Sequence, residues 1–159
     1  CQLLQARGAM AFDLDRATVA RMYCAHVARY VIDARTLLHI VANNLDIDSD
    51  HQLVAPHLIR SQALTLLLDD VRKGDITEEE ALRRHERFTE LKMRLLGDRV
   101  SRRTAWKMAR ANGWDTTFDA EYLAVCQLQA DALITIDPLL AAKAEGIVPR
   151  APLEMLSTR

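Results

Sequence analysis

Three aspartates, far apart in the chain, stand where an apolar run stops or a helix begins. Asp33 follows Tyr30-Val31-Ile32, Asp137 follows Ala132-Leu133-Ile134-Thr135-Ile136, and Asp119 lies just after Thr116-Thr117, a helix start. Open parallel sheets carry their sites at the carboxyl ends of strands, and helix starts face that same rim. The three carboxylates are therefore expected to converge on one edge. Gln62 belongs near that rim too, in the second turn of the helix after Leu53-Val54-Ala55. Carboxylates a few ångströms apart repel, and one is normally pushed to hold a proton. A hard divalent cation removes the conflict, because magnesium takes oxygen ligands, keeps several waters and shares its sphere with substrate phosphate. Such an ion activates water and stabilises charge on a phosphoryl group, so phosphodiester hydrolysis is the natural reaction class. Singly, each aspartate has an ordinary reading. Asp137 before Pro138 is a good N-cap, and Asp119 suits a first helical turn. Their coincidence at matching ends favours the site.

Short apolar strands and amphipathic helices must position these residues. The pattern predicts strands at Tyr30–Ile32, Leu53–Ala55, Arg99–Val100, Ala132–Ile136 and Ile147–Val148. Helices are expected over Ala34–Asn43, His57–Lys73 with Gly74 as stop, Thr77–Leu96 with Gly97 as stop, Ser101–Asn112, Thr117–Gln129 and Leu139–Glu145. Thr77 and Glu80 have capping-box spacing. Leu82, Phe88, Leu91 and Leu95 form an apolar stripe on the third helix, read as core packing with a dimer or partner role as the alternative. Strands alternating with helices imply right-handed crossovers and a parallel sheet covered on both faces. One α/β domain over residues 29–159 is expected, with a three-layer α/β/α fold around a short central parallel sheet. Residues 1–28 read as an N-terminal extension, with a helix over 15–28 and Met10 and Met22 as candidate starts.

At this point the residues resemble a family. Tyr30-Val31-Ile32-Asp33-Ala34-Arg35-Thr36-Leu37-Leu38 resembles the opening of PIN domains, a hydrophobic strand ending in Asp and a small residue. Leu53 to Leu64, Phe118 to Ala124 and Ala132 to Leu140 resemble the second, third and fourth blocks, in the same order and spacing. The nearest subgroup is the VapC type, the toxin half of type II toxin–antitoxin pairs. The resemblance implies a magnesium- or manganese-dependent endoribonuclease with Asp33, Asp119, Asp137 and Gln62 as site residues, the three aspartates holding metal. It also implies a homodimer and a small antitoxin whose tail covers the acidic site. The family has Glu where this chain has Gln62. An amide keeps a ligating oxygen but loses the charge and cannot act as a base. Asp115 or Glu121 is the expected helper to Asp119, and the alternative is a catalytically weakened or inactive module that binds RNA or a partner.

Charge and composition are consistent with this reading. The net charge is −1, but the stretch from Arg83 to Arg110 carries ten Lys/Arg against three acidic residues. Arg99, Arg102, Arg103, Lys107 and Arg110 are the candidates for RNA-backbone contact, an ordinary solvated basic face being the alternative. Trp106 and Trp114 flank this helix and read as core or edge residues. Cys1, Cys24 and Cys126 suggest neither a disulfide framework nor a zinc motif, and the five histidines show no ligand spacing. No apolar run is long enough for a membrane span, so a cytoplasmic protein is expected. A receiver-like phosphoacceptor domain also clusters aspartates at strand ends. It needs an acidic pair after the first strand and a Lys after the last, whereas Ala34 follows Asp33 and the first Lys is Lys143. Neither GxGxxG nor GxxxxGK[ST] occurs.

Overall fold

The computed structural model describes residues 27–157. Four strands, β1 (Ala28–Ile32), β2 (His51–Pro56), β3 (Met93–Leu96) and β4 (Ala132–Ile134), form one sheet in the order β3-β2-β1-β4. Every pairing is parallel, with Tyr30 opposite Leu53 on one side and Ala132 on the other. The helices are α1 (Ala34–Ala42), α2 (Leu58–Lys73), α3 (Glu78–Glu90), α4 (Arg99–Asn112), α5 (Phe118–Gln129) and α6 (Pro138–Ala144). Helices α1, α2 and α3 pack on one another, α4 packs on α5, and α5 lies against β1 and β2. The architecture is the expected three-layer α/β/α. The strand order runs outward from β1 through β2 to β3, then returns to place β4 on the other side of β1. That reversal opens a crevice at the carboxyl ends of β1 and β4, the usual site position in such sheets.

The strands are short and apolar because both faces are covered. Val31, Ile32, Leu53, Val54, Leu133 and Ile134 are almost wholly buried. Helix punctuation follows the local chemistry. The Thr77 side chain accepts from the Glu80 amide at the start of α3. Gly74 and Gly113 end α2 and α4 in the left-handed conformation that suits glycine.

Several boundaries differ from the sequence reading, among them the end of β4, which falls at Ile134 rather than Ile136. The third helix stops at Glu90, and Met93–Leu96 forms β3 on the open edge of β2 rather than a last helical turn. Arg99-Val100 is helical, because Asp98 and not Ser101 caps α4, its side chain accepting from the Ser101 amide at 2.8 Å. Ile147-Val148 is not a strand. The chain meets β4 only at a single bridge between Leu133 and Arg150, with Pro149 and Pro152 beside it unable to donate to a ladder. The helix expected over 15–28 lies outside the described residues except at Val27 and Ala28, and Ala28 opens β1.

The stripe on α3 divides between core and surface. Phe88 is 2% exposed and stacks edge-on against His85, whereas Leu82 is 57% exposed. Phe88→Ala is expected to lower unfolding free energy in urea by about 3–5 kcal/mol. Leu82→Ala should change it by no more than about 0.5 kcal/mol in the monomer. Equal losses for the two would contradict this division.

Candidate active site

The site is built outward from Asp33. This residue leaves β1 in extended conformation and caps α1, its Oδ1 accepting from the Thr36 amide at 3.3 Å. The Thr36 hydroxyl also donates to Oδ1, and the Thr135 hydroxyl donates to it at 3.0 Å from beyond β4. Each hydroxyl is in turn an acceptor. Thr36 Oγ1 takes the Ile136 amide at 3.1 Å, and Thr135 Oγ1 takes the Asp137 amide at 3.0 Å. Two threonines therefore tie the end of β4 to the end of β1 through a single carboxylate oxygen. Oδ2 accepts none of these bonds. Asp33 is only 4% exposed, and burial raises its pKa although the hydroxyl bonds pull the other way.

The other carboxylates have separate supports. Asp119 lies in the first turn of α5, and Lys143 Nζ on α6 contacts its Oδ2 at 2.6 Å. The same ammonium sits 5.2 Å from the centre of the Trp114 ring. Asp137 caps α6 through the Leu139 amide at 2.9 Å, with Pro138 as the first helical residue. Its Oδ2 lies 3.5 Å from Arg35 Nε. Gln62 on α2 accepts the Tyr122 hydroxyl at 2.6 Å, which places its oxygen rather than its nitrogen toward α5. Burial, and the nearby Asp33 charge, push the Tyr122 phenol far up, so it remains a proton donor.

All four sequence-predicted site residues line one cleft of about 480 Å³. Arg35, Ser61, Thr65, Tyr122 and the apolar side chains of Leu58, Leu66, Phe118 and Leu140 complete its wall. The expected helpers Asp115 and Glu121 do not line it. Burial raises the Glu121 pKa and nearby Arg102 lowers it. The basic residues of α4 form its exposed face, opposite Ser101, Ala105 and Ala109, and do not enter the cleft. Sequence reasoning does not single out Arg35, Thr36, Tyr122 or Lys143 as site residues. The Asp33-x-x-Thr36 spacing is a legible cap signal, and Lys143 is the only charge in α6.

The donor set suits a hard cation in kind, since it offers carboxylate and amide oxygens and no nitrogen or sulfur ligand. Among the described residues, however, no group of three or more His, Cys, Asp or Glu side chains is arranged to hold a metal ion. The aspartates share a cleft but each faces its own partner. Of the three aspartates expected to hold a divalent ion, Asp119 is engaged by Lys143 and Asp137 by Arg35.

The comparisons identify the fold. No family model and no curated protein matches the chain. Among solved structures it is similar to the crystal structure of PAE2754 from Pyrobaculum aerophilum, with a TM-score of 0.61 and 23% identity. The match covers 81% of this chain and 93% of that one.

A folded-state pKa raised above 3.8 means that ionising Asp33 works against the metal-free fold. The neutral acid is present in both states below that value, and the penalty appears as pH rises through the folded pKa. Asp33→Asn in excess chelator should therefore be more stable than the parent at pH 7. The gap should shrink as the pH falls toward about 4 and be lost below it. Thermal unfolding across this range gives the measurement, and a gap that widened in acid would contradict the assignment.

Proposed function

We propose that the chain is a magnesium- or manganese-dependent endoribonuclease, acting as the toxin of a type II toxin–antitoxin pair. The observation that carries this reading is the convergence of Asp33, Asp119, Asp137 and Gln62, from four separate segments, on one cleft. Its position at the carboxyl ends of β1 and β4 suits a catalytic site. A divalent ion bound there would supply Lewis-acid stabilisation of phosphoryl charge and an activated water. The chain's own residues supply the rest. Asp33 is fixed by Thr36 and Thr135 with Oδ2 left over for ligation, and Asp119 and Asp137 stand at helix starts on either side. Gln62, oriented by Tyr122, contributes a neutral oxygen. Arg35, exposed beside Asp137, is placed to meet a substrate phosphate. On this reading the exposed basic face of α4, with Arg99, Arg102, Arg103, Lys107 and Arg110, holds the RNA backbone beyond the cleft. A second copy of the chain and a cognate antitoxin are its implied protein partners, and the cytoplasm its compartment. Among the described residues no helix is long and apolar enough to cross a membrane.

One observation favours a second reading, an RNA- or partner-binding module with little turnover. Gln62 is uncharged and already engaged by Tyr122, and each outer carboxylate holds a cation of the protein.

RNA cleavage with and without divalent ion separates the two. Asp33→Asn and Asp119→Asn should each lower the divalent-dependent rate by more than the roughly 10- to 100-fold that follows loss of a group supporting a ligand. Gln62→Glu, which can still accept from Tyr122, should raise it. RNA binding without cleavage at saturating manganese would select the binding module, and parent-like cleavage by both aspartate variants would end the site assignment. Replacing Arg102 and Lys107 by Ala should weaken RNA binding. The salt dependence should become shallower by about 0.7 log units for each phosphate no longer neutralised.

A further inference from the structure

We infer that Lys143 competes with a divalent cation for Asp119, so that metal can bind fully only when this ammonium is displaced. The inference rests on the metal-dependent reading above and adds a control device to the same site. Asp119 is the one carboxylate shared between two environments. It lines the cleft, whereas Lys143, bonded to its Oδ2 at 2.6 Å, does not. The ammonium reaches Asp119 from α6 and also lies over the Trp114 ring, whose centre is 5.2 Å away. A cation entering from the cleft would place its charge beside this ammonium on a single carboxylate, a like-charge contact that the partly buried setting screens poorly. Lys143 has a way out. Both side chains of the pair are 33% exposed, so the flexible stem can carry the ammonium into water without opening the core. The aromatic face gives it a second attraction in the metal-free state. Asp137 has a weaker counterpart in Arg35, at 3.5 Å and 60% exposed. Asp33 is bound by neutral hydroxyls, and among the described residues no cationic side chain pairs with it. Of the three carboxylates, Asp119 is thus the one whose recruitment by a divalent ion would require release of a closely bonded ammonium, and Lys143 would set that threshold.

Trp114 provides a built-in reporter. The chain has two tryptophans, and Trp106 lies 60% exposed on α4 outside the cleft, so Trp106→Phe leaves Trp114 as the sole emitter. The full chain in this background is titrated with Mn2+, free ion being read by electron paramagnetic resonance, and with Mg2+ while Trp114 emission is recorded. The expected result is an emission change with Mg2+ in the parent. Lys143→Met should bind Mn2+ roughly two- to fivefold more tightly and show no Mg2+-dependent emission change. Lys143→Arg, which can restore the ion pair, should return affinity toward the parent's. Metal binding by Lys143→Met alone would also support the inference. Parent and Lys143→Met with equal Mn2+ affinity would overturn it while leaving the metal site intact, as would a Trp114 emission unmoved by Mg2+ in a metal-binding parent. Failure of both proteins to bind Mn2+ would instead remove the metal-dependent reading and the competition with it.

Discussion

Burying the Asp33 carboxylate is the constraint on which the rest of the site depends. A carboxylate at 4% exposure is tolerable only with hydrogen bonds to replace water. Thr36 and Thr135 supply them, one from the first turn of α1 and one from beyond β4. Because each hydroxyl also accepts a backbone amide from the Ile136–Asp137 turn, the same two groups fix the path of the chain into α6. Asp137 stands where it does because that turn is held to Asp33. Lys143 and Leu140 follow on the helix that Asp137 caps. The β1–β4 ladder spans only three residue pairs. A short ladder of this kind gains much of its register from side-chain bonds at its end.

The parts of the fold legible in the sequence are those decided locally. Thr77 at its cap, Pro138 at a first helical position and Gly74 and Gly113 after helix ends all follow from backbone chemistry within a few residues. The boundaries that differ are decided at long range. Leu91 and Leu95 continue a helical stripe, yet Met93 and Leu95 also fit a strand's alternation. The open edge of β2 resolves the ambiguity in favour of β3. Ile147-Val148 has strand-like composition, but the prolines after it limit pairing with Leu133 to one bridge. At Asp98 and Ser101 two capping residues compete, and the earlier one wins because its carboxylate reaches the Ser101 amide.

The candidate site shows the same division. Asp33, Asp119 and Asp137 are legible because strand ends and helix starts fall on one rim of a parallel sheet, a consequence of topology alone. Their partners are not. The Lys143–Asp119 pair spans 24 residues and the Thr135–Asp33 bond spans 102, and no local periodicity encodes either. The basic run from Arg83 to Arg110 reads as one feature, yet the fold divides it. Arg83 and Arg84 pair with Glu79 and Glu80 within α3, and Arg87 reaches the Val41 carbonyl. The α4 portion presents an exposed basic face, while Lys92 and Arg94 are exposed separately around β3.

Gln62 takes a different meaning once charges are placed. Three carboxylates stand in or beside the cleft together with Arg35 and Lys143, so the formal charge without metal is at most −1. A Glu at position 62 would add a further negative charge facing Tyr122, a phenol that burial already holds protonated. The neutral amide keeps the Tyr122 bond without that charge, and the arrangement folds without needing a cation to cancel repulsion. With Arg35 in its wall and Lys143 beside it, this cleft comes within one charge of neutrality from the protein's own side chains. Gln62 and the Lys143–Asp119 pair are thus two sides of one electrostatic arrangement: the amide withholds a negative charge, and the internal cations offset most of the charge that remains.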